Sequence, residues 1–204
     1  MQITAPITVS QQDLFTSSTT QKHGLGQCGY SKDGRKFRYA KAGATALVAG
    51  KMVQAAAPVA NHQGDQTTGI AAAIGDKKFS VTLGSTALTE NFYEQGVAII
   101  YASAGLGYTY GISSHNSCLS TGDVVLNLAD GESIQVALTT GSKISLCQNP
   151  YRDVITTPVT TLTAAAIGAA VWPIEAASFG WIQVSGVATV LIAGTPAVGQ
   201  SLSA

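Results

Sequence analysis

Two segments of this chain are variations on one pattern. Tyr39-Ala-Lys-Ala-Gly-Ala-Thr-Ala-Leu-Val-Ala-Gly50 lies near the front, and Trp181-Ile-Gln-Val-Ser-Gly-Val-Ala-Thr-Val-Leu-Ile-Ala-Gly194 near the end. Each opens on an aromatic in an extended run, passes a glycine (Gly43, Gly186), and closes on small and branched apolar residues before a second glycine. Branched and aromatic residues suit a pleated, half-buried surface, and glycine permits the tight turn between two such runs. The pattern therefore predicts strand, turn, strand, with a C-terminal hairpin over 179–194.

The rest of the chain continues in short strands. Asp33-Gly34 marks a turn before a strand at Phe37–Lys41, and Leu47–Gly50 with Lys51–Gln54 predicts a short hairpin. Phe79–Leu83 alternates apolar and polar, Val97–Tyr101 is continuously apolar, and Tyr108–Ile112 follows the flexible Gly105-Leu-Gly107. Val124–Leu128 and Ile134–Leu138 flank Asp130-Gly131 and predict the clearest hairpin. Lys143–Cys147 adds a strand before Asn149-Pro150-Tyr151. The Ala-rich stretch 162–171 predicts at most one short helix, weakened by Gly168 and stopped by Pro173. Short strands at regular spacing with turns between them predict an all-β sandwich or barrel of antiparallel strands. Residues 1–27, rich in Gln, Ser and Thr, predict an extended N-terminal arm that packs little within its own subunit. Residues 28–204 then form the β-rich domain, with a possible sub-boundary near 150–160.

Charge is scarce. Charged residues make up 11% of the chain, against roughly 25% in ordinary soluble domains. With a net charge of zero, little repels neighbouring copies, which suits a chain that ends up assembled. The zero also hides an asymmetry. Residues 1–51 hold seven basic and two acidic groups (+5), and residues 52–204 hold four basic and nine acidic (−5). Either one end docks on an acidic partner, or the two ends neutralise each other within the fold or between subunits. The sequence pI of about 6.8 lacks the basic footprint of a nucleic-acid binder. No apolar run reaches the length of a membrane span or a signal peptide. Three scattered cysteines, Cys28, Cys118 and Cys147, predict free thiols in a reducing cytoplasm.

No constellation asks for catalysis or a cofactor. Gly105-Leu-Gly107-Tyr-Thr-Tyr-Gly111 misplaces its third glycine for a dinucleotide loop and puts aromatics where a helix should open, so it predicts a glycine-softened turn. His115 with Cys118, and His23 with Cys28, are loose pairs rather than a four-ligand zinc set. There is no Gly-x-Ser-x-Gly, and Asp123, Asp130, Glu132 and Asp153 sit at turns and strand ends, where carboxylates are usually solvated. No catalytic, cofactor-binding or metal-binding residue is expected.

Gly34-Arg-Lys-Phe-Arg-Tyr39 running into Ala46-Leu-Val-Ala-Gly-Lys51 resembles the opening of small virion structural proteins of tailed bacteriophages. Phe179-Gly-Trp-Ile-Gln-Val-Ser-Gly186, continuing through Ala193-Gly-Thr195 to Val198-Gly-Gln-Ser-Leu202, resembles their ending, and Asn149-Pro-Tyr151 fits the same pattern. Among such proteins the likeness is to capsid decoration, or cement, proteins. That resemblance implies a β-rich fold and attachment to the major capsid protein on the virion exterior after assembly in the host cytoplasm. It also implies homotrimers, and no catalytic residues are carried over. The expected shell or subunit contacts are Arg35, Lys36, Arg38, Tyr39 and Trp181. A tail or fibre component, and a carbohydrate-binding β-module stacking sugars on Trp172 and Trp181, stand as alternatives.

Overall fold

Tyr39 and Trp181, the leading aromatics of the two matching segments, are cross-strand partners with ring centroids 5.2 Å apart. The two segments do not each fold back on themselves; their first halves pair with each other. This is seen in a computed structural model that describes residues 5–191. Along the chain come β1 (Ile7–Thr8), α1 (Gln11–Leu14), β2 (Cys28–Tyr30), β3 (Lys36–Lys41) and β4 (Met52–Gln54). Next are β5 (Gln66–Thr68), β6 (Lys78–Thr82), β7 (Val97–Ala102), β8 (Thr109–His115), β9 (Asp123–Leu128) and β10 (Lys143–Cys147). The chain closes with β11 (Ile155–Thr156), β12 (Ala166–Ala169) and β13 (Phe179–Ser185). The all-β expectation holds, with α1 the one short helix among the described residues.

The chain divides into two units, and one is inserted in the other. Residues 58–149 form the first. Residues 5–57 and 150–191 together form the described part of the second. The division replaces the expected boundary at residue 28, and its second crossing falls at residue 150.

The inserted unit is a closed barrel in the order β10-β5-β6-β9-β8-β7, every pair antiparallel. Closure removes the exposed edges that make strands prone to unwanted pairing. Its strands follow the period of two. In β9 Val124, Leu126 and Leu128 are buried, while Asp123, Val125 and Asn127 face out. Phe79, Val81, Ile100, Tyr110, Ile112, Leu126, Ile144 and Leu146 fill the interior. Gly105 and Gly107, at φ +85° and +89°, turn the chain between β7 and β8, as the softened-turn reading anticipates.

The hairpin expected at Asp130-Gly131 does not form. β9 pairs with β6 and β8, and Ile134–Leu138 is not a strand. Ile134 and Leu138 are buried, but the segment touches residues 72–76 only at its two ends. The amide of Gly75 donates to Ile134 O, and Ala72 and Leu138 exchange both backbone bonds. Its apolar period marks two inward anchors rather than a ladder.

The described part of the other unit is a seven-stranded sheet, β1-β2-β3-β13-β12-β4-β11, antiparallel except at β1–β2. Its central strands are buried on both faces. One face gathers Phe37, Tyr39 and Trp181, covered by Val9 and Leu14. The other gathers Ala40, Ala42 and Ile182 against Leu47, Val154 and Ile174. Burying one large aromatic removes roughly 200 Å² from water, about 5 kcal/mol at ~25 cal/mol/Å² as an upper bound.

The covering residues come from the segment expected to be a free arm. Leu14 is 1% exposed, Gln27 Nε2 donates to Ala5 O, and the amides of Gly26 and Tyr39 bond to Tyr39 O and Gln27 O. The polar composition of this segment hides three anchors, Val9, Leu14 and Leu25, spaced too irregularly to register as a period. Gly29 lets the cover close: a Cβ there would stand 2.9 Å from Trp181 Cζ3. The Ala-rich stretch expected to be helical contains β12, held between β4 and β13. Leu47 bridges Ile174 rather than opening a hairpin with β4. The described residues contain no strand following β13; Ile192, Ala193 and Gly194 of the expected C-terminal hairpin lie outside them.

Candidate functional site

Charge also divides between the two units, slightly less sharply than between residues 1–51 and 52–204. The described sheet unit holds eight basic groups against four acidic ones (Asp13, Asp33, Asp153 and Glu175), a net +4. The barrel unit holds three basic groups (Lys77, Lys78 and Lys143) against seven acidic ones, a net −4. The return of the chain after residue 149 accounts for the difference from the sequence cut, because Arg152, Asp153 and Glu175 belong to the sheet unit.

Four of the five expected contact residues are in strands of this sheet, and the fifth, Arg35, lies directly before β3. Arg35 closes the turn begun at Ser31: its Nε donates to Asp33 Oδ2 at 2.8 Å, and its guanidinium lies 5.4 Å from the Phe37 ring centroid. The Ser31 hydroxyl, and then Arg35, hold the Asp33 carboxyl below its usual range. Lys36 is exposed, with its ammonium 5.5 Å from the Tyr30 ring centroid. Arg38 is partly buried; its Nη1 donates to Gly26 O at 2.7 Å, and its guanidinium lies 5.9 Å from the Tyr151 ring centroid. Tyr39 and Trp181 are 2% and 3% exposed. They belong to the core and are withdrawn from the contact surface assigned to them from sequence. Burial also raises the Tyr39 phenol, partly offset by the Lys22 amide that donates to its oxygen at 3.1 Å. Of the basic side chains in residues 5–51, Lys22, Lys32, Lys36 and Lys51 are exposed, while Arg35, Arg38 and Lys41 are partly buried.

Beside Arg35 runs a groove of about 350 Å³ that sequence did not indicate. Phe15, Val171, Val187 and Leu191 form its apolar walls, and Arg35 and Gln183 contribute polar groups. The rim is unusually apolar for a surface: Val187 is 90% exposed and Leu191 61%, and Phe15 meets the half-exposed Trp172 at 5.7 Å. Gln183 is buried. Its Nε2 donates to Ser185 O and Val187 O, while its Oε1 accepts no hydrogen bond among the described residues. Among the described residues, Arg35 is the one charged residue of the lining. Within the same residues the groove combines an apolar lining with one cation.

The residues weighed for metal are occupied otherwise. His115 Nε2 accepts from the Tyr93 amide at 2.9 Å, and its Nδ1 lies 2.8 Å from Asn116 O, so both ring nitrogens serve the backbone. Cys118 donates to Leu119 O. His23 stands against the Tyr39 and Trp181 rings at 5.1 and 5.3 Å. Among the described residues no group of three or more His, Cys, Asp or Glu could hold a metal ion. Cys28, Cys118 and Cys147 are free thiols, and burial raises that of Cys147. No helix of the described residues is long and apolar enough to cross a membrane. Compared with protein-family models, with curated proteins and with solved structures, the chain gives no match.

Proposed function

We propose that this chain is a structural protein of a tailed-phage virion: a decoration subunit that attaches to the major capsid protein on the outside of the head and stabilises it without catalysis. The observation that carries this reading is the division of a charge-poor chain into a +4 unit and a −4 unit, with Lys32 and Lys36 standing exposed on the basic one. The resemblance of the Gly34–Lys51 and Phe179–Leu202 segments to cement proteins supplies the class of partner. A closed shell presents the same acidic patch many times, so modest contacts multiply across the particle. Binding restricted to the assembled shell stabilises it by mass action.

The test is occupancy on undecorated heads. Lys32→Glu combined with Lys36→Glu replaces attraction by repulsion at two exposed positions. Exposed ion pairs contribute about 0.2–1 kcal/mol each, so the double reversal should weaken binding about tenfold, more in dilute salt than in concentrated salt. Heads that bind the wild-type protein should also release DNA at a higher temperature. Failure of the wild-type chain to bind heads would defeat the reading. Occupancy unchanged by the double reversal would remove the basic rim from it.

A further inference from the structure

The barrel unit carries an apolar feature that its own fold does not use. The loop Gly69-Ile-Ala-Ala-Ala-Ile-Gly75 presents Ile70 and Ile74 at 69% and 70% exposure, while Ala72 between them is buried. The loop is held in place. Gly69 N and Ile70 N donate to the backbone and hydroxyl of Ser80, Ala72 pairs with Leu138, Ala73 N donates to Asp76 Oδ2, and Gly75 N donates to Ile134 O. The amides of Ala71 and Ile74 donate to no acceptor among the described residues. Two large aliphatic side chains are thus displayed on a fixed backbone, an arrangement that lowers the ordering cost of binding.

We propose that copies of this chain associate head to tail, the Ile70–Ile74 loop of one copy seating in the Phe15–Leu191 groove of the next. The two surfaces complement each other in kind. The loop brings aliphatic side chains and free amide donors. The groove brings apolar walls. Charge selects the orientation. A barrel-to-barrel contact sets −4 against −4 and a sheet-to-sheet contact +4 against +4, so two-fold pairing through like units is opposed, while barrel-to-sheet contact is favoured. Locally, Asp76 and Asp123 lie beside the loop, with Lys77 next in the chain, and Arg35 borders the groove. A heterologous contact of this kind repeats until it closes a ring or runs on as a filament. The contact is drawn from exposed side chains and charge, does not rest on the head-shell reading, and its test needs no heads.

Three proteins decide it: a loop variant (Ile70→Ser with Ile74→Ser), a groove variant (Val187→Glu with Leu191→Ser), and the wild type, each checked for native circular dichroism. All four positions are exposed, so folding should be retained. Sedimentation equilibrium of the wild type should give a mass above the 20.8 kDa of one chain, and each variant alone should sediment as a monomer. An equimolar mixture of the two variants should give one-to-one pairs and nothing larger, because one intact loop and one intact groove remain. A wild type that stays monomeric at its highest soluble concentration overturns the proposal. So do variants that associate like the wild type, or a mixture that stays monomeric.

Discussion

Leu14→Ala separates a structural N-terminal segment from a loose arm. Leu14 is 1% exposed at the end of α1 and packs with Val9, Phe37, Tyr39 and Trp181. Truncating a buried leucine costs about 2–5 kcal/mol, depending on how far the surroundings collapse. Because α1 is only four residues long and can settle inward, a loss near the lower half, about 3 kcal/mol, is expected. With a urea dependence of about 2 kcal/mol/M for a unit of this size, the midpoint should fall by about 1.5 M. The molecule supplies its own reporter: both tryptophans of the chain, Trp172 and Trp181, belong to the sheet unit, so tryptophan fluorescence follows that unit alone. The control is Gln12→Ala on the exposed side of the same turn, which should change stability by less than about 0.5 kcal/mol. A Leu14→Ala loss no larger than the control would refute the packing argument and return residues 5–27 to the status of an arm.

Two further outcomes are expected. Gly29→Ala should cost about 1–3 kcal/mol by overpacking against Val9 and Trp181, and Val9→Ala in the same chain should recover part of it; additive losses in the denaturation curves would show that the space at Gly29 is not what matters. Burial pushes the Tyr93 phenol above its usual range, and its oxygen lies 2.9 Å from His62 Nδ1. A raised folded value stabilises fully below the unfolded tyrosine pKa of about 10 and is lost as pH rises toward the folded value. Barrel stability should therefore fall above about pH 10, with a slope approaching 1.4 kcal/mol per pH unit, and Tyr93→Phe should flatten that fall while costing stability at neutral pH. Identical alkaline slopes for the two proteins would exclude this phenol as the cause.

Strand existence was legible in the sequence; strand partnership was not. Phe79–Leu83, Val97–Tyr101 and Lys143–Cys147 sit within a residue or two of β6, β7 and β10, because period-two burial and apolar runs are local signals. Pairing depends on distant residues. Leu47 with Ile174, Ala72 with Leu138, and Leu88 with Cys118 form three isolated antiparallel bridges, each joining residues that precede later strands. Four of the six, Leu47, Cys118, Leu138 and Ile174, stand five positions before the strand that follows. That recurring step is written in backbone geometry, with a leucine in one place and a cysteine in another, so it leaves little trace in composition. The basic run could be read because Arg35, Lys36 and Arg38 are neighbours in the chain. The groove could not, because Phe15, Val171, Gln183 and Leu191 are brought together only by the fold.

The insertion of the barrel has a consequence during synthesis. β3 emerges early, but its partner β13 begins at Phe179, 138 residues after Lys41. At roughly 5–20 residues per second, Phe37 and Tyr39 wait about 7–28 s for the strand that completes their sheet. The barrel's strands run from Gln66 to Cys147 and are all available well before then. A barrel already folded holds residues 58–149 as a short tether in place of a long slack loop, and closure entropy rises with slack length by about 0.6 kcal/mol per doubling. Early barrel formation therefore speeds the final pairing. A ribosome stalled before Phe179 leaves an aromatic strand edge without its mate, open to chaperones or to another nascent chain.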